Sequence, residues 1–202
     1  MRKLIEGTFV SLDGVVDSQE QWALPFFDAE NKNAALSALS EIDAFLLGRV
    51  TYEKFVARWP QIKGDPYFDK INGLPKFVAS TTLRKTTWNS TLIKGDLAEE
   101  ISKLKSQTGK NIMKYGTTGL DHTLIKHNLV DELHLFVVPI VVGKGRRLFE
   151  GFDAADLKLT LTGTTRFRNG VVSLRYIPEW TASSSDDDRT PADKFHAAVS
   201  LP

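Results

Sequence analysis

The sequence of 202 residues contains no cysteine. This absence excludes disulfides, thiolate nucleophiles and zinc sites built on sulfur. No apolar run approaches the roughly 20 residues that a membrane-spanning helix needs, and the charged Arg2 and Lys3 come too early for a signal peptide. We therefore expect a cytoplasmic protein with no membrane segment.

Neither sign of charge is in excess, because 26 Lys and Arg stand against 25 Asp and Glu, for a formal net charge of +1. Such a balance provides no global basic field for binding nucleic acid, so we expect no nucleic-acid partner. The hydrophobic fraction of 42%, with 10% aromatic residues, is typical of a packed globular domain. Any function that depends on charge must therefore be local.

The histidines do not have the spacing of a metal site. His122 and His127 would not share one face of a helix, and His134 lies in an apolar, strand-like stretch. The chain also has no Gly-x-Ser-x-Gly motif, which excludes the nucleophile turn of the α/β-hydrolases. We expect no metal and no serine nucleophile.

Short apolar runs alternate with helix-like segments along most of the chain. The apolar runs predict strands, several of them buried on both faces of a parallel sheet, at 3–12, 44–47, 76–79, 112–115 and 133–142. Apolar residues at helical spacing predict helices at 28–41, about 51–59, 97–109 and 120–128. The stretch 60–75 is rich in Pro and Gly, and we expect it to be mostly loop, with room for one turn of helix.

The last third of the domain has a strand-rich pattern. Leu157, Leu159 and Leu161 alternate with polar residues, and Asn169-Gly170 is a strong hairpin signal. Pro139 cannot donate to a strand ladder, which indicates a bulge or an edge within 133–142. These patterns predict an α/β fold with a mostly parallel central sheet, flanked by helices, and antiparallel strands at one edge.

Periodicity ends near Thr181, where Ser183–Asp188 forms a polar, acidic run. We therefore predict one domain over 1–178 and a polar tail over 179–202. The composition fits a flexible tail, and a natural extension and one added by cloning are equally compatible with it.

Three predicted strands end in small or hydroxyl-rich turns. The turns are Gly48-Arg49-Val50-Thr51-Tyr52, Ser80-Thr81-Thr82 and Gly116-Thr117-Thr118-Gly119-Leu120. Because the carboxyl ends of parallel strands meet at one edge of a sheet, these turns should lie together. Glycine allows a phosphate to approach the backbone, while amides, hydroxyls and the guanidinium groups of Arg49 and Arg84 supply donors and charge. The turns thus indicate a dinucleotide site, although a single Gly-Arg-x-Thr turn also occurs in proteins that bind nothing.

Five segments, in this order and spacing, resemble the reductase domain of riboflavin biosynthesis and its relatives, the dihydrofolate reductase-like proteins. They are Ser11-Leu12-Asp13-Gly14, Gly48-Arg49-Val50-Thr51-Tyr52, Tyr115-Gly116-Thr117-Thr118, Leu129-Val130-Asp131-Glu132-Leu133 and Pro139-Ile140-Val141-Val142-Gly143-Lys144-Gly145-Arg146-Arg147-Leu148-Phe149. The resemblance covers residues 1 to about 178. It implies a dihydrofolate reductase-like fold, NADPH as the hydride donor and, frequently, a homodimer.

The resemblance also implies roles for the three turns. Gly48, Arg49 and Thr51 match the segment that meets the adenosine side and the phosphates of NADPH, and the run Gly116, Thr117, Thr118, Gly119 and Leu120 matches the pyrophosphate turn. Ser80 and Thr81 fall where the family contacts the adenosine 2′-phosphate. The family often has arginine after this serine, so Thr81 leaves that contact to Arg49 or Arg84.

Two acidic residues are candidates for catalysis. Asp13 matches the carboxylate that the riboflavin enzymes place near nicotinamide and substrate, and we expect burial beside an apolar ring to raise its pKa; ordinary turn chemistry before Gly14 is the alternative. The segment Trp22–Asp28 is similar to the one that carries the pterin-binding acid of dihydrofolate reductases, with a spacing that differs by one residue. Asp28 could equally cap a helix, and Trp22, Phe26 and Phe27 fit a lid, the core or a dimer contact.

The implied activity is transfer of hydride from NADPH to a C=N or C=O carbon of a heterocyclic or sugar-linked small molecule. The activity resembled is that of 5-amino-6-(5-phosphoribosylamino)uracil reductase, whose substrate phosphate could be met here by Lys144, Arg146 and Arg147. A pteridine or dihydrofolate reductase is one alternative. A nucleotide-binding module without turnover is the other.

Overall fold

A computed structural model of the chain describes residues 1–117, 119–151 and 157–180. Its strands are β1 (Leu4–Ser11), β2 (Ile42–Gly48), β3 (Lys76–Ala79), β4 (Ser90–Ile93), β5 (Asn111–Tyr115), β6 (Glu132–Val138), β7 (Leu157–Arg166) and β8 (Val172–Trp180). Its α-helices are α1 (Gln19–Trp22), α2 (Ala29–Ala38), α3 (Arg49–Val56), α4 (Pro66–Gly73), α5 (Leu97–Ser106) and α6 (Leu120–Lys126). Short 3-10 turns occupy Leu24–Phe26, Leu39–Glu41 and Trp59–Gln61.

The eight strands form one sheet in the order β4-β3-β2-β5-β1-β6-β8-β7. Strands β1 to β6 pair in parallel, whereas β8 pairs antiparallel with both β6 and β7. The predicted hairpin joins β7 to β8, with Gly170 at φ 88° and Phe167 N donating to Val171 O at 2.9 Å. The predicted fold, mostly parallel with antiparallel strands at one edge, is therefore confirmed.

Helices cover both faces of the parallel part of the sheet. Side chains alternate along a strand, so Leu46 and Leu47 of β2 pack on opposite faces. Leu47 lies in a cluster with Tyr52 of α3 and Ile71 of α4. Leu46 lies in the cluster formed with α5 and α6. The strands between these two layers are buried on both faces, as their continuous apolar sequences predict.

Aspartate caps begin three helices. Asp28 and Asp96 cap α2 and α5, each accepting the amide of the residue three positions on at 3.0 Å. Asp65 caps α4, where Tyr67 N donates to it at 3.0 Å. The expectation that 60–75 is mostly loop was wrong here, because Pro66 suits the first position of a helix.

Two further differences concern strands. The strand predicted to reach residue 142 ends at Val138, because Pro139 has no amide to continue the ladder. Beyond it, Leu12 N donates to Ile140 O at 2.8 Å, which holds this segment beside the end of β1. Strand β4 carried no recognisable pattern, since it is a four-residue edge strand that is only partly buried.

Strand β8 includes Glu179 and Trp180, and so runs two residues past the proposed domain boundary at 178. The rest of the predicted tail, 181–202, lies outside the described residues. Within the described part of the chain, no helix has the length and hydropathy required to cross a bilayer.

Candidate functional site

The three predicted turns follow β3, β2 and β5, which are consecutive in the sheet. Gly48 at the end of β2 pairs with Ala79 at the end of β3, and Leu46 pairs with Lys114 of β5. The strands therefore end side by side, and their turns lie at one edge of the sheet. This edge is where open α/β sheets bind ligands.

Two of these turns lie close together. A methyl group placed on the α carbon of Gly116 would lie 3.6 Å from Thr51 Oγ1. Gly116 has φ 74°, a left-handed conformation that favours glycine, and its amide donates to Gly7 O at 3.0 Å. The turn after β5 is thus bonded to β1 and lies near the first turn of α3.

The turn after β2 presents the start of a helix to the same edge. Gly48 occupies the cap position of α3 without a side chain, so its first-turn amides receive no side-chain cap from this residue. Thr51 is buried. Arg49 is exposed, and its Nη1 lies 2.9 Å from Glu53 Oε2. An exposed pair of this kind contributes little stability, so the guanidinium can exchange partners.

The turn after β3 is shaped by its serine. Ser80 Oγ accepts the amides of Thr82 and Leu83 at 3.2 and 3.0 Å. The hydroxyl also lies 3.4 Å from Thr82 Oγ1, and either of these two groups can be the donor. Thr81 and Arg84 are exposed on the same loop.

Thr117 is the residue of the third turn with unused hydrogen-bonding capacity. Its Oγ1 is buried and has no hydrogen-bond partner among the described residues. Its carbonyl accepts from Arg146 Nη2 at 2.7 Å, and Arg146 is held in turn by Asp17, 3.4 Å away. Gly119 precedes α6, Leu120 begins it, and Thr118 lies outside the described residues.

Behind this turn lie three buried charged residues, Glu6 of β1, Lys114 of β5 and Asp121 of α6, which we call the buried charge cluster. Lys114 Nζ forms an ion pair with Asp121, lies 3.5 Å from Glu6 Oε2 and donates to Gly116 O at 2.5 Å. The sequence prediction missed this cluster. The available signal was the charge of Glu6 and Lys114 inside otherwise apolar strands.

Burial governs protonation in this cluster. It raises the pKa of Glu6 to about 8, and the carboxylate of Asp121 acts in the same direction, although Lys114 partly opposes them. For Lys114, burial opposes the charged form, but the charges of Glu6 and Asp121 outweigh it and raise the lysine pKa. At neutral pH Glu6 is therefore protonated and lies beside the ammonium of Lys114.

Asp13 lies at the turn after β1, where its carboxylate is fully engaged. It accepts from Ser11 Oγ at 2.7 Å, Val142 N at 3.0 Å and Gly143 N at 2.9 Å. These bonds, that of Ser11 first, hold the pKa of Asp13 well below its usual range. The expectation of a raised pKa was wrong, because donors rather than an apolar ring surround the group. Arg147 reinforces the arrangement by donating to the Asp13 carbonyl.

Asp28 is the cap of α2, as the second interpretation of this residue predicted. Its carboxylate also accepts from the side chains of Asn31 and Asn169, both at 3.0 Å. The hydrogen bonds from Asn31 are the main cause of its lowered pKa. Asp28 therefore ties α2 to the β7–β8 hairpin.

The aromatic segment before Asp28 is partly core. Trp22 is buried with Val138, Phe167 and Val171, and its Nε1 donates to Asp17 O at 2.8 Å. Phe27 is partly buried against Phe9 and Tyr67. Of the three roles considered for Trp22, the core position is confirmed.

The basic loop after β6 contains Lys144, Arg146 and Arg147, and its two arginines make different contacts. Arg146 reaches the third turn, Arg147 reaches Asp13, and Lys144 is exposed. Arg146 is therefore the member of this loop that lies against the predicted cofactor turns.

The family model of the RibD C-terminal domain matches residues 2–173. The chain is 30% identical over 184 residues to the uncharacterised protein YyaP of Bacillus subtilis (strain 168), covering 87% of this chain and 94% of YyaP. These matches span nearly all of the described domain.

Two solved structures show the same fold. RibD of Acinetobacter baumannii has a TM-score of 0.60 at 14% identity, over 89% of this chain and 58% of that one. Dihydrofolate reductase from Enterococcus faecalis, complexed with NADP(H), has a TM-score of 0.58 at 14% identity, over 88% of this chain and 96% of that one. The architecture is therefore dihydrofolate reductase-like, as the sequence predicted.

Proposed function

The chain belongs to the RibD C-terminal domain family, and from this premise we propose that it is a reductase that uses NADPH. The observation that carries the proposal is the close approach of two predicted cofactor turns, where a β carbon on Gly116 after β5 would lie 3.6 Å from Thr51 Oγ1 in α3. It brings glycine backbone, free amides and hydroxyls from neighbouring strands to one edge of the sheet. That combination suits the phosphates of a dinucleotide.

The third turn fits a pyrophosphate group. We assign Gly116, Thr117, Thr118, Gly119 and Leu120 to the pyrophosphate and Gly48 and Thr51 to the adenosine side. The buried hydroxyl of Thr117, with no partner in the described part of the chain, supports this assignment because such a group is costly unless a ligand satisfies it. NADPH supplies the hydride, and the residues of this chain bind and orient it.

Arg49 is the proposed contact for the adenosine 2′-phosphate. It is exposed beside the turn after β3, because Gly48 pairs with Ala79. Exchange of its partner from Glu53 to a phosphate gives a stronger, bidentate interaction. Ser80 and Thr81 offer hydroxyls at the same place. A preference for NADPH over NADH then depends mainly on Arg49.

The proposed substrate is a heterocyclic or sugar-linked molecule that accepts hydride at a C=N or C=O carbon, as in 5-amino-6-(5-phosphoribosylamino)uracil. Support comes from the basic loop after β6, whose Arg146 contacts Thr117 and whose Lys144 is exposed. A positive loop beside the cofactor turn suits a substrate that carries phosphate.

Asp13 and Asp28 remain the proposed acidic residues of the site, with an altered role for each. Hydrogen bonds lower both pKa values, so both residues are carboxylates at neutral pH. A carboxylate in that state is a poor proton donor. We propose that Asp13 orients the loop that borders the substrate and that Asp28 orients the hairpin, with the proton coming from water.

The full engagement of Asp13 and Asp28 also favours the alternative of a nucleotide-binding module without turnover. Such a module would bind NADPH and reduce nothing. A pteridine reductase is less well supported, because the carboxylate of Asp28 is already shared among Asn31, Asn169 and the start of α2.

We further propose a homodimer, with the β7–β8 hairpin in the interface. This hairpin is largely exposed, including the apolar side chains of Leu161 and Ile177. Light scattering of the purified protein tests this proposal, and Ile177→Lys should shift the protein toward monomer.

A thermal-shift comparison of NADPH, NADH and no ligand tests the cofactor assignment. At a hundredfold excess over its dissociation constant, NADPH should stabilise the fold by about 2.7 kcal/mol. For a protein of this size, each kcal/mol should raise the Tm by roughly 2 to 4 °C. The absence of any shift would contradict the assignment. The rate of NADPH oxidation is then measured with the riboflavin pyrimidine intermediate and, separately, with dihydrofolate as the substrate. Turnover of one of them identifies the corresponding reductase, and turnover of neither indicates a binding module.

A further inference from the structure

The buried charge cluster lies directly behind the turn assigned to the pyrophosphate. Lys114 and Asp121 flank this turn in sequence, and Glu6 approaches from the neighbouring strand β1. Lys114 is 1% exposed in its side chain and Glu6 2%, so water does not satisfy them. Burying three ionisable groups in one place is costly unless they are paired, and the cluster is not explained by the packing of the core.

The bond from Lys114 to Gly116 fixes the direction of one peptide group. Lys114 Nζ lies 2.5 Å from the Gly116 carbonyl oxygen. In a trans peptide the carbonyl and the following amide point in opposite directions, and the described residues contain no cis peptide. Since the carbonyl of Gly116 faces the ammonium, the amide of Thr117 faces away from the cluster.

The same bond strengthens the outward donor. An ammonium on the carbonyl side polarises the peptide group, and hydrogen bonds in such a chain reinforce one another. The free hydroxyl of Thr117 lies beside this amide. A single residue of the turn thus has two donors to offer an anion, and Lys114 fixes the direction of one of them.

Glu6 and Asp121 keep Lys114 in place. Asp121 comes from the first turn of α6 and Glu6 from β1, so the ammonium is held from two separate elements. If both carboxyl groups were ionised, the cluster would have one net negative charge, which would repel a phosphate bound at the turn. Protonation of one of them leaves the cluster neutral.

We propose that Lys114, held by Glu6 and Asp121, is a positioning residue that presents the Thr117 amide to a phosphate oxygen of the bound dinucleotide. This inference rests on the proposed function, since it assigns a role within the cofactor site. It adds a residue behind the site that contacts no ligand itself.

The test compares two sets of replacements that each remove buried charge. Glu6→Leu, Lys114→Met and Asp121→Leu together remove the cluster, because replacing a whole buried charge group with apolar residues usually preserves the fold. The matched control is Lys105→Met with Asp131→Asn. Lys105 is also a buried ammonium, 2.5 Å from Asp131 and bonded to Leu129 O, but it lies near the amino end of β1.

The dissociation constant of NADPH is measured by calorimetry for the native protein and both variants. We expect the cluster variant to bind about tenfold more weakly or worse, as for a lost hydrogen bond to a charged group, and the control to bind as the native protein does. A folded cluster variant with native affinity overturns the positioning role while leaving the cofactor assignment intact. If the native protein does not bind NADPH, the proposed function itself fails, and the positioning role fails with it.

A second measurement decides the matter if the cluster variant does not fold. Glu6→Gln keeps the shape and the hydrogen bonds of Glu6 but cannot ionise. The groups that face Glu6 are Lys114 from β5 and Asp121 from α6, while its neighbour in β6 is the apolar Leu133. Native affinity for NADPH should fall as pH rises through about 8, and the Gln variant should lack that fall. Identical pH profiles for the two proteins would overturn the proposal.

Discussion

Thr51 and Gly116 lie close together at the carboxyl edge of the sheet, so that a methyl group on the α carbon of Gly116 would lie 3.6 Å from the hydroxyl oxygen of Thr51. They belong to turns that are distant in sequence and follow adjacent strands, β2 and β5. Because Gly116 also has a left-handed backbone, a side chain there would both strain the turn and fill the space beside Thr51.

Gly116→Ala should therefore reduce NADPH affinity and stability together. The left-handed backbone makes a side chain cost about 1–2 kcal/mol, and the added methyl group lies between the turn and Thr51. The dissociation constant measured by fluorescence titration and the Tm measured by calorimetry check the two effects.

Gly64→Ala is the matched control for this substitution. Gly64 has φ 75°, close to the 74° of Gly116, but a methyl group there would meet nothing within 4 Å. It should lose a similar amount of stability and keep native affinity. Equal losses of affinity in both variants would mean that strain, rather than the turn itself, weakens the binding of NADPH.

Arg49→Ala should weaken NADPH about tenfold and leave NADH nearly unchanged, because a bidentate phosphate contact is lost. Stability should hardly change, since the Arg49–Glu53 pair is exposed. Lys103→Ala, which removes a similar exposed pair with Glu100 on α5, serves as the control. Equal weakening of NADPH and NADH by Arg49→Ala would place Arg49 away from the 2′-phosphate.

Asp13→Asn should lower the Tm, because an amide has one acceptor oxygen where the carboxylate accepts from Ser11, Val142 and Gly143. A lowered pKa means that the stabilisation by Asp13 is present above its unfolded pKa and is lost as pH falls through the folded value. The difference in Tm between native and variant proteins should thus be larger at pH 7 than at pH 3. A variant with native Tm that binds NADPH but shows no turnover would instead make Asp13 catalytic.

The sequence predicted those parts of the fold that depend on local patterns. Apolar runs located β1, β2, β3 and β5, the Asn169-Gly170 pair located the hairpin, and Asp96 located the start of α5. The position of the three turns at one edge also followed, because parallel strands bring their carboxyl ends together. The full length of helix α4 was missed because Pro66 and Gly73 mark loops more often than they begin and end a short helix.

Properties that depend on distant partners could not be predicted. Ser11, two residues away, is the first of the donors that lower the pKa of Asp13, but the other two are the amides of Val142 and Gly143, which are far from it in sequence. The buried charge cluster likewise requires that β1 and β5 be neighbours and that α6 lie over them. Charged residues within apolar strands are the sequence feature that marks such a site. A charged residue alone, however, does not predict which other residues pair with it.

Glu6→Gln should remove the loss of stability that we expect the native protein to show as pH rises. The folded pKa of Glu6, about 8, is above its unfolded value near 4.5, so the folded state binds the extra proton between these limits. Stability from this group is complete below the unfolded pKa and is lost as pH rises through the folded pKa. The free energy of unfolding, measured by urea denaturation at pH 5, 7 and 8.5, should therefore fall with rising pH for the native protein relative to the Gln variant. Parallel curves for the two proteins would mean that Glu6 is ionised throughout, and a native protein that gains stability with pH relative to the variant would reverse the assignment of the proton.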